Sequence, residues 1–284
     1  MLHKMMEDQA AGLRRMLGKK DIKTFLVLSA IPSTQKNTLL LNLASSLIHA
    51  GNSTHLVDTY IDRSGVSSRL KTLIKSDLWG LALKNQSMDQ GFYEFMPGGR
   101  ISQLAGLPTA QLISQSVQLE QLSNTIQSLS NDSNIWFLDA QLKLDNPLLI
   151  PEFSDSEIIL IISSTPASIK NGYSQLKHIS QTLGRRHVSV VINHTDLTQA
   201  QHIYKNISTA ARDYLSIPVS FLGHIPSDED LTKSALLGKS IIEAFPLSKA
   251  AHALRSISKL LIDKNTGMQF IPPSSQSQPL VLEH

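Results

Sequence analysis

The residues with the most chemical capacity in this chain lie in the stretch Ser29 to Ala44, SAIPSTQKNTLLLNLA, which follows a short β-rich run and opens an apolar helix. In open α/β sheets ligands gather at the carboxyl ends of strands, so Lys36 stands where an anion could be met. A phosphate is cradled by consecutive backbone N–H groups turned inward, and glycine supplies the conformations that turn them. Between Ser29 and Ala44 there is no glycine, and Pro32 has no N–H to give. Read from its residues alone, the stretch is equally a plain strand-to-helix connection with Lys36 solvated in the first helical turn.

Other chemistries find less support. Cysteine is absent, which removes disulfides, thiolate catalysis and Cys-ligated metal sites, and agrees with a reducing compartment. The 10 histidines form no H-x-x-x-H pair on a credible helix beside a carboxylate, and no G-x-S-x-G elbow occurs. Arg185, Arg186 and His187 cluster before a strand without a basic stripe elsewhere, so they read as a solvated turn and nucleic acid is not an expected partner.

The elements that must position these residues alternate. Apolar runs at Leu26 to Leu28, THLVD, IWFLDA, SEIILIISS, HVSVVINH and VSFLGHI read as strands. Between them lie helical patterns: one beginning around Lys36 and closing at Gly51, then SGVSSRLKTLI, SIKNGYSQLKHISQTLG, AQHIYKNISTAARDYL and SKAAHALRSISKLLID. Strands that are apolar without alternation are buried on both faces, which predicts an α/β fold with a doubly wound, mostly parallel sheet flanked by helices. With 26 Lys and Arg against 23 Asp and Glu in 284 residues, a net charge of +3 and 41% hydrophobic content, the composition is that of a globular protein and excludes a polycation or an acidic disordered chain. Apolar runs such as Ile158 to Ile162 fall far short of the roughly 18–20 residues of a membrane span, and the N-terminus has no apolar signal core, so a cytoplasmic location is expected.

Three regions are expected. Residues 1–20 read as a helix with Met6, Leu13 and Leu17 near one face, Gly18 as a stop and Lys19 and Lys20 as a link. Residues 21–263 form the domain, and residues 264–284, rich in Pro, Ser and Gln, read as a flexible tail ending in a tag remnant at Leu282, Glu283 and His284.

The spacing of Ser29, Lys36, Thr38, Asn42, Leu43 and Ala44 resembles the deviant P-loop of the MinD/ParA family of ATPases, S-G-K-G-G-x-G-K-[ST]-T followed by a helix ending in N-L-A. On this match the family's signature lysine falls at Ile31, its glycines at Ala30, Pro32, Ser33 and Gln35, and its magnesium-binding Ser/Thr at Asn37. LVDTYIDRSG resembles the motif that orients the attacking water and the metal, retaining Asp58 and placing Tyr60 at the second carboxylate. IWFLDAQLK resembles the Walker B strand and retains Asp139; TPASIKNGYSQLK and FLGHIPSDEDLTKSALLGKSIIEAFPLSKAAHAL resemble later family segments. VVINH resembles the strand whose Asn contacts adenine, here Asn193. The resemblance runs from Leu26 to about Leu261 and implies a P-loop NTPase fold in which Lys36, Asn37, Thr38, Asp58, Asp139 and Asn193 would be the nucleotide contacts. The capping of local turns is the structural alternative for Asp58 and Asp139. Because phosphoryl transfer depends on electrostatics and positioning, loss of the glycines and the signature lysine implies a pseudo-ATPase with an empty or blocked phosphate position. ATP or ADP with weak or absent magnesium stays open as a ligand.

Two segments resemble the branch of flagellar number regulators, FlhG/FleN: the leader DQAAGLRR, and FMPGGRISQLAGL. In that branch the leader stimulates a partner GTPase, FlhF, so the resemblance implies an FlhF-like partner contacted by Asp8, Gln9, Leu13, Arg14 and Arg15, since an amide can orient water and a guanidinium can stabilise transition-state charge. The alternative for the leader is a frayed helix with solvated arginines. A homodimer or a heterodimer with an active paralogue is a further option, and contact with a membrane or cell pole is at most peripheral, because Leu254, Ile257, Leu260 and Leu261 of the last helix are expected to pack on the sheet. A slow ATPase using Lys36, Asp58 and Asp139, and a ParA-like partitioning protein, are the competing functions.

Overall fold

The computed structural model describes residues 22–70, 74–84, 86–104, 116–142, 148 and 150–263. The leader with Asp8, Gln9, Leu13, Arg14 and Arg15, and the tail, lie outside the described residues.

Eight strands form one sheet: β1 (Lys23–Ser29), β2 (Thr54–Asp58), β3 (Tyr93–Met96), β4 (Gly99–Gln103), β5 (Ile135–Asp139), β6 (Glu157–Ser163), β7 (Val188–Asn193) and β8 (Val219–Ile225). Their order is β3-β4-β2-β5-β1-β6-β7-β8, parallel throughout except for the antiparallel β3–β4 edge. The helices are α1 (Ser33–His49), α2 (Leu78–Lys84), α3 (Ser116–Ser130), α4 (Pro166–Thr182), α5 (Leu197–Ala210), α6 (Glu229–Leu236), α7 (Ile241–Ala244) and α8 (Lys249–Ile262).

The central strands are buried on both faces because each feeds two cores. Leu26, Leu28, Trp136, Leu138 and Leu160 point into the layer of α3, α4 and α5, through Leu122, Ile126, Leu176 and Ile203. Phe25, Val27, Phe137, Ile159 and Ile161 point into the layer of α1 and α8, through Leu40, Leu43, Leu254 and Ile257. The period of two in a strand therefore reads as an unbroken apolar run, as expected for parallel strands between helical layers. Leu254, Ile257 and Leu261 of α8 are buried, so that helix is spent on the sheet.

Several expectations are corrected. SGVSSRLKTLI is not a helix: it yields only a 3-10 turn at Val66–Arg69, with residues 71–73 outside the description. The segment around Pro97, to which the sequence reading assigned no element, is a hairpin, β3 turning into β4 through Gly98 at φ +81°, which a side chain would strain. Helix α1 starts at Ser33, three residues before Lys36.

Some motif residues turn out to hold the scaffold together. Asn42 Nδ2 donates to the Thr38 carbonyl at 2.8 Å and its Oδ1 accepts the Ile241 N–H at 2.7 Å, tying α1 to the start of α7. Asp228 caps α6 by accepting the Asp230 N–H and also accepts the Ala250 N–H of α8.

Candidate functional site

The early start of α1 decides the geometry of the loop after β1. Pro32 occupies the N-cap with an extended backbone, and its carbonyl accepts the N–H groups of Gln35 and Lys36, each at 3.0 Å. The Ala30 N–H is taken by the Ile161 carbonyl at 2.8 Å and the Ile31 N–H by Ser29 Oγ at 3.2 Å. The N–H groups of Ala30, Ile31, Gln35 and Lys36 are thus bound within the loop, the helix and the neighbouring strand.

Lys36 is 1% exposed. Its Nζ lies 2.5 Å from Asp139 Oδ1 and 3.9 Å from the centroid of the Tyr60 ring. The ammonium is therefore held by a carboxylate and an aromatic face inside the protein. The solvated-lysine alternative does not hold.

The two carboxylates meet because β2 and β5 are neighbours in register, Asp58 beside Asp139. Asp58 Oδ1 accepts the Tyr60 N–H at 2.9 Å, while Oδ2 accepts the Ser67 N–H at 2.9 Å and the Ser67 hydroxyl. Asp139 Oδ2 accepts the Val66 N–H at 2.8 Å. Both therefore fasten the loop after β2, with Asp58 capping its own turn and Asp139 reaching a distant one. Gly65 fits tightly here: a Cβ on it would fall 1.8 Å from Asp58 Oδ1. Asn37 joins the same clamp, its Nδ2 donating to the carbonyls of Ser64 at 3.1 Å and Gly65 at 2.7 Å and to Ser68 Oγ at 3.1 Å.

Burial dominates the titration of this cluster. It pushes Asp139 up to about 7 against the pull of Lys36, and raises Asp58 against the hydrogen bonds of Ser67 and Tyr60. The Tyr60 hydroxyl is raised by burial and by the charge of Asp139. As arranged, these groups do not fit a magnesium triphosphate: four of the loop's N–H groups, the lysine and Asp58 are already bound to partners in the protein, and the Asn37 amide holds a loop.

Besides an opening of about 290 Å³ lined by Ser33, Lys36 and Tyr60, two others border the loop. One cleft of about 740 Å³ is lined by Ile31, Gln35, Thr165, Asn171 and Gln175, without a charged side chain other than what His194 could carry. The other, about 370 Å³, lies across α1 and is lined by Thr34, Thr38, Arg69, Asn193 and Asp228 among others. Asn193 is 1% exposed, and its Oδ1 has no hydrogen-bond partner among the described residues. Thr38 donates to the Thr34 carbonyl at 2.9 Å and accepts from Arg69 Nη2 at 2.8 Å. Lys36, Asn37, Asp58 and Asp139 are therefore brought together in one buried cluster, whereas Thr38 and Asn193 share a separate cavity. Tyr60, Gly65, Ser67 and Arg69 were not anticipated as site residues. Only Tyr60 carried a signal, as the residue standing where a carboxylate was expected.

No family model matches the chain. The sequence is 20% identical over 249 residues to the antiactivator FleN of Pseudomonas aeruginosa, covering 87% of this chain and 89% of FleN. It is 24% identical over 233 residues to an uncharacterized ATP-binding protein of Methanocaldococcus jannaschii, covering 81% of this chain and 83% of that protein. Among solved structures, MinD in the MinC:MinD cell division complex of Aquifex aeolicus superposes with a TM-score of 0.61 at 16% identity, covering 92% of this chain and 98% of that one. A ParA family ATPase from Chlorobium tepidum gives a TM-score of 0.60 at 17% identity, covering 84% and 98%.

Proposed function

We propose, from the premise that this chain is a MinD/ParA-family protein of the FlhG/FleN branch, that it is a regulatory pseudo-ATPase that controls flagellar number or placement through an FlhF-like GTPase. The observation that carries the loss of ATP turnover is the Pro32 carbonyl, which binds the Gln35 and Lys36 N–H groups while Lys36 is buried on Asp139. A transferring phosphoryl group needs donors and cations free to meet it, and here Lys36 and the Gln35 and Lys36 N–H groups are bound elsewhere. The name of the FleN relative supports the flagellar role. In this reading Asn193 keeps its place as the contact for a nucleobase, Lys36, Asp58 and Asp139 act as internal struts, and the leader engages the partner.

The retained trio Lys36, Asp58 and Asp139 is what favours the competing reading of a slow ATPase, in which the pair opens to admit nucleotide. One assay separates the two. Purified protein with ATP and magnesium is expected to release phosphate no faster than buffer, and turnover abolished by Lys36→Ala or Asp58→Ala would establish the ATPase instead.

A further inference from the structure

The cleft of about 740 Å³ beside the loop after β1 differs in kind from the buried cluster around Lys36. Its size falls within the roughly 300–1,000 Å³ of ligand sites, yet no Asp, Glu, Lys or Arg among the described residues lines it. A nucleotide, a sugar phosphate or a free amino acid would bring charges that nothing here meets, and an unpaired charge taken out of water is costly. What the cleft offers instead is carboxamide. Asn171 and Gln175 line it from α4 and Gln35 lines it from α1, and none of the three side chains has a hydrogen-bond partner among the described residues. The Oε1 of Gln175 is shielded from solvent and unpaired among those residues, a buried acceptor that an entering donor would satisfy.

The spacing of the two amides on α4 selects the form of the ligand. Residues i and i+4 of a helix stand about 6 Å apart along its axis, and an extended chain turns the N–H and C=O of alternate residues to the same side about every 6.6–6.8 Å. A carboxamide accepts through its oxygen and donates through its nitrogen, so Asn171 and Gln175 each match the N–H and C=O of one residue in such a chain, two residues apart. Helix α4 is held so as to keep that spacing. Thr165 caps it by accepting the Ser168 N–H, and a Cβ on Gly172 would fall 2.6 Å from Ile162 Cγ2, so the helix is seated closely on β6. Going beyond the reading of the nucleotide site, the geometry points to this cleft as a docking groove for an extended segment of a partner polypeptide, held by its backbone on Asn171, Gln175 and Gln35. The side chains that enter are uncharged, because the groove has no counter-ion for them, and Ile31 and Ala167 give them apolar contact.

The test begins with a random nonapeptide library displayed on phage and panned against the full chain, after which the most enriched peptide is synthesised and titrated by fluorescence anisotropy. Enriched sequences are expected to be poor in Asp, Glu, Lys and Arg. Asn171 is exposed and Gln175 half-buried, and alanine favours a helix, so Asn171→Ala and Gln175→Ala should leave the fold intact; each is expected to weaken the peptide by about tenfold. Lys177→Ala, on another side of α4, should change the affinity by less than about twofold. N-methylation of the peptide's backbone amides at alternate positions should weaken binding by about tenfold or more in one of the two alternating sets. No enriched peptide, enrichment of charged peptides, or an affinity unchanged by both Asn171→Ala and Gln175→Ala would overturn the proposal. None of these results touches the pseudo-ATPase reading, which phosphate release decides on its own.

Discussion

Lys36 Nζ lies 2.5 Å from Asp139 Oδ1 with both side chains 1% exposed, so the lysine in the first turns of α1 serves as the counter-ion of the carboxylate at the end of β5. Removing one member of a buried pair strands the other. Lys36→Met and Asp139→Asn are each expected to destabilise the fold by about 3 kcal/mol, and the double variant by clearly less than the sum. The sign of the pH dependence follows from Asp139, which burial holds at about 7 in the folded protein, well above the ordinary carboxylate range. Without Lys36 the carboxyl holds its proton to still higher pH, so the penalty of Lys36→Met should be flat below about 7 and grow as pH rises through about 7 toward 9. Urea unfolding across that range measures it. A penalty that shrinks with rising pH would show that the pair is not the stabilising contact.

Gly65 is the most crowded backbone position in the cluster. A methyl group there would meet all three terminal atoms of Asp58, at 1.8, 2.2 and 2.3 Å, in a carboxylate already fastened by Tyr60 and Ser67. Overpacking of a filled interior costs about 1–3 kcal/mol, and displacing Asp58 strands the amides it accepts. Gly65→Ala is therefore expected to lower stability by about 3 kcal/mol or more, read as a fall in the urea midpoint. An unchanged midpoint would mean the loop after β2 is free to move off Asp58.

His55 gives a second pH signature. Its ring stacks on Trp136 at a centroid distance of 4.2 Å, and Nε2 lies 2.8 Å from Ser102 Oγ, which itself donates to the Gly91 carbonyl at 2.7 Å. Ser102 must then accept from His55, which puts the proton on Nε2 and leaves Nδ1 without a partner among the described residues. Burial, aided by the charge of Arg100, lowers this histidine to about 3. The unfolded chain protonates it below about 6.5 while the native state does not, so stability falls as pH drops from about 6.5 toward 3, at about 1.4 kcal/mol per pH unit. The stability difference between wild type and His55→Gln isolates that slope from other groups. If that difference stays constant between pH 4 and 7, His55 is charged or exposed in solution.

The central sheet was legible because unbroken apolar runs such as EIILIIS need two helical layers to cover them. Helix α3 is equally legible in principle, since Leu119, Leu122, Ile126 and Leu129 recur at helical spacing. The hairpin at Pro97 had its signal in P-G-G between two short runs, masked by its resemblance to a family segment. Helix α1 begins at Ser33, ahead of the amphipathic pattern that sets in around Lys36. With Pro32 fixing the cap and Ser33 to Gln35 free of glycine, nothing holds those residues out of the helix. No local pattern could have shown that Tyr60 lies on Lys36, or that Asn37 holds Gly65, because both contacts join segments that meet only in the folded sheet.

The leader remains the part of the chain on which the proposed partner depends. If Gln9, Arg14 and Arg15 act on the nucleotide site of an FlhF-like GTPase, they do so through their own side chains, so the full chain should raise GTP turnover by that partner. An arginine supplied in trans can accelerate hydrolysis by roughly 10³–10⁵, and an amide that only positions water gives less. Arg14→Ala and Gln9→Ala should each reduce the stimulation, while Lys36→Met, which alters only the core, should leave it in place at temperatures where that variant is folded. A peptide of residues 1–20 separates the leader from the core, and stimulation by the peptide alone locates the activity in those residues. Equal stimulation by wild type and by a chain lacking residues 1–20 would place the partner contact on the sheet domain and end the proposed role of Gln9, Arg14 and Arg15.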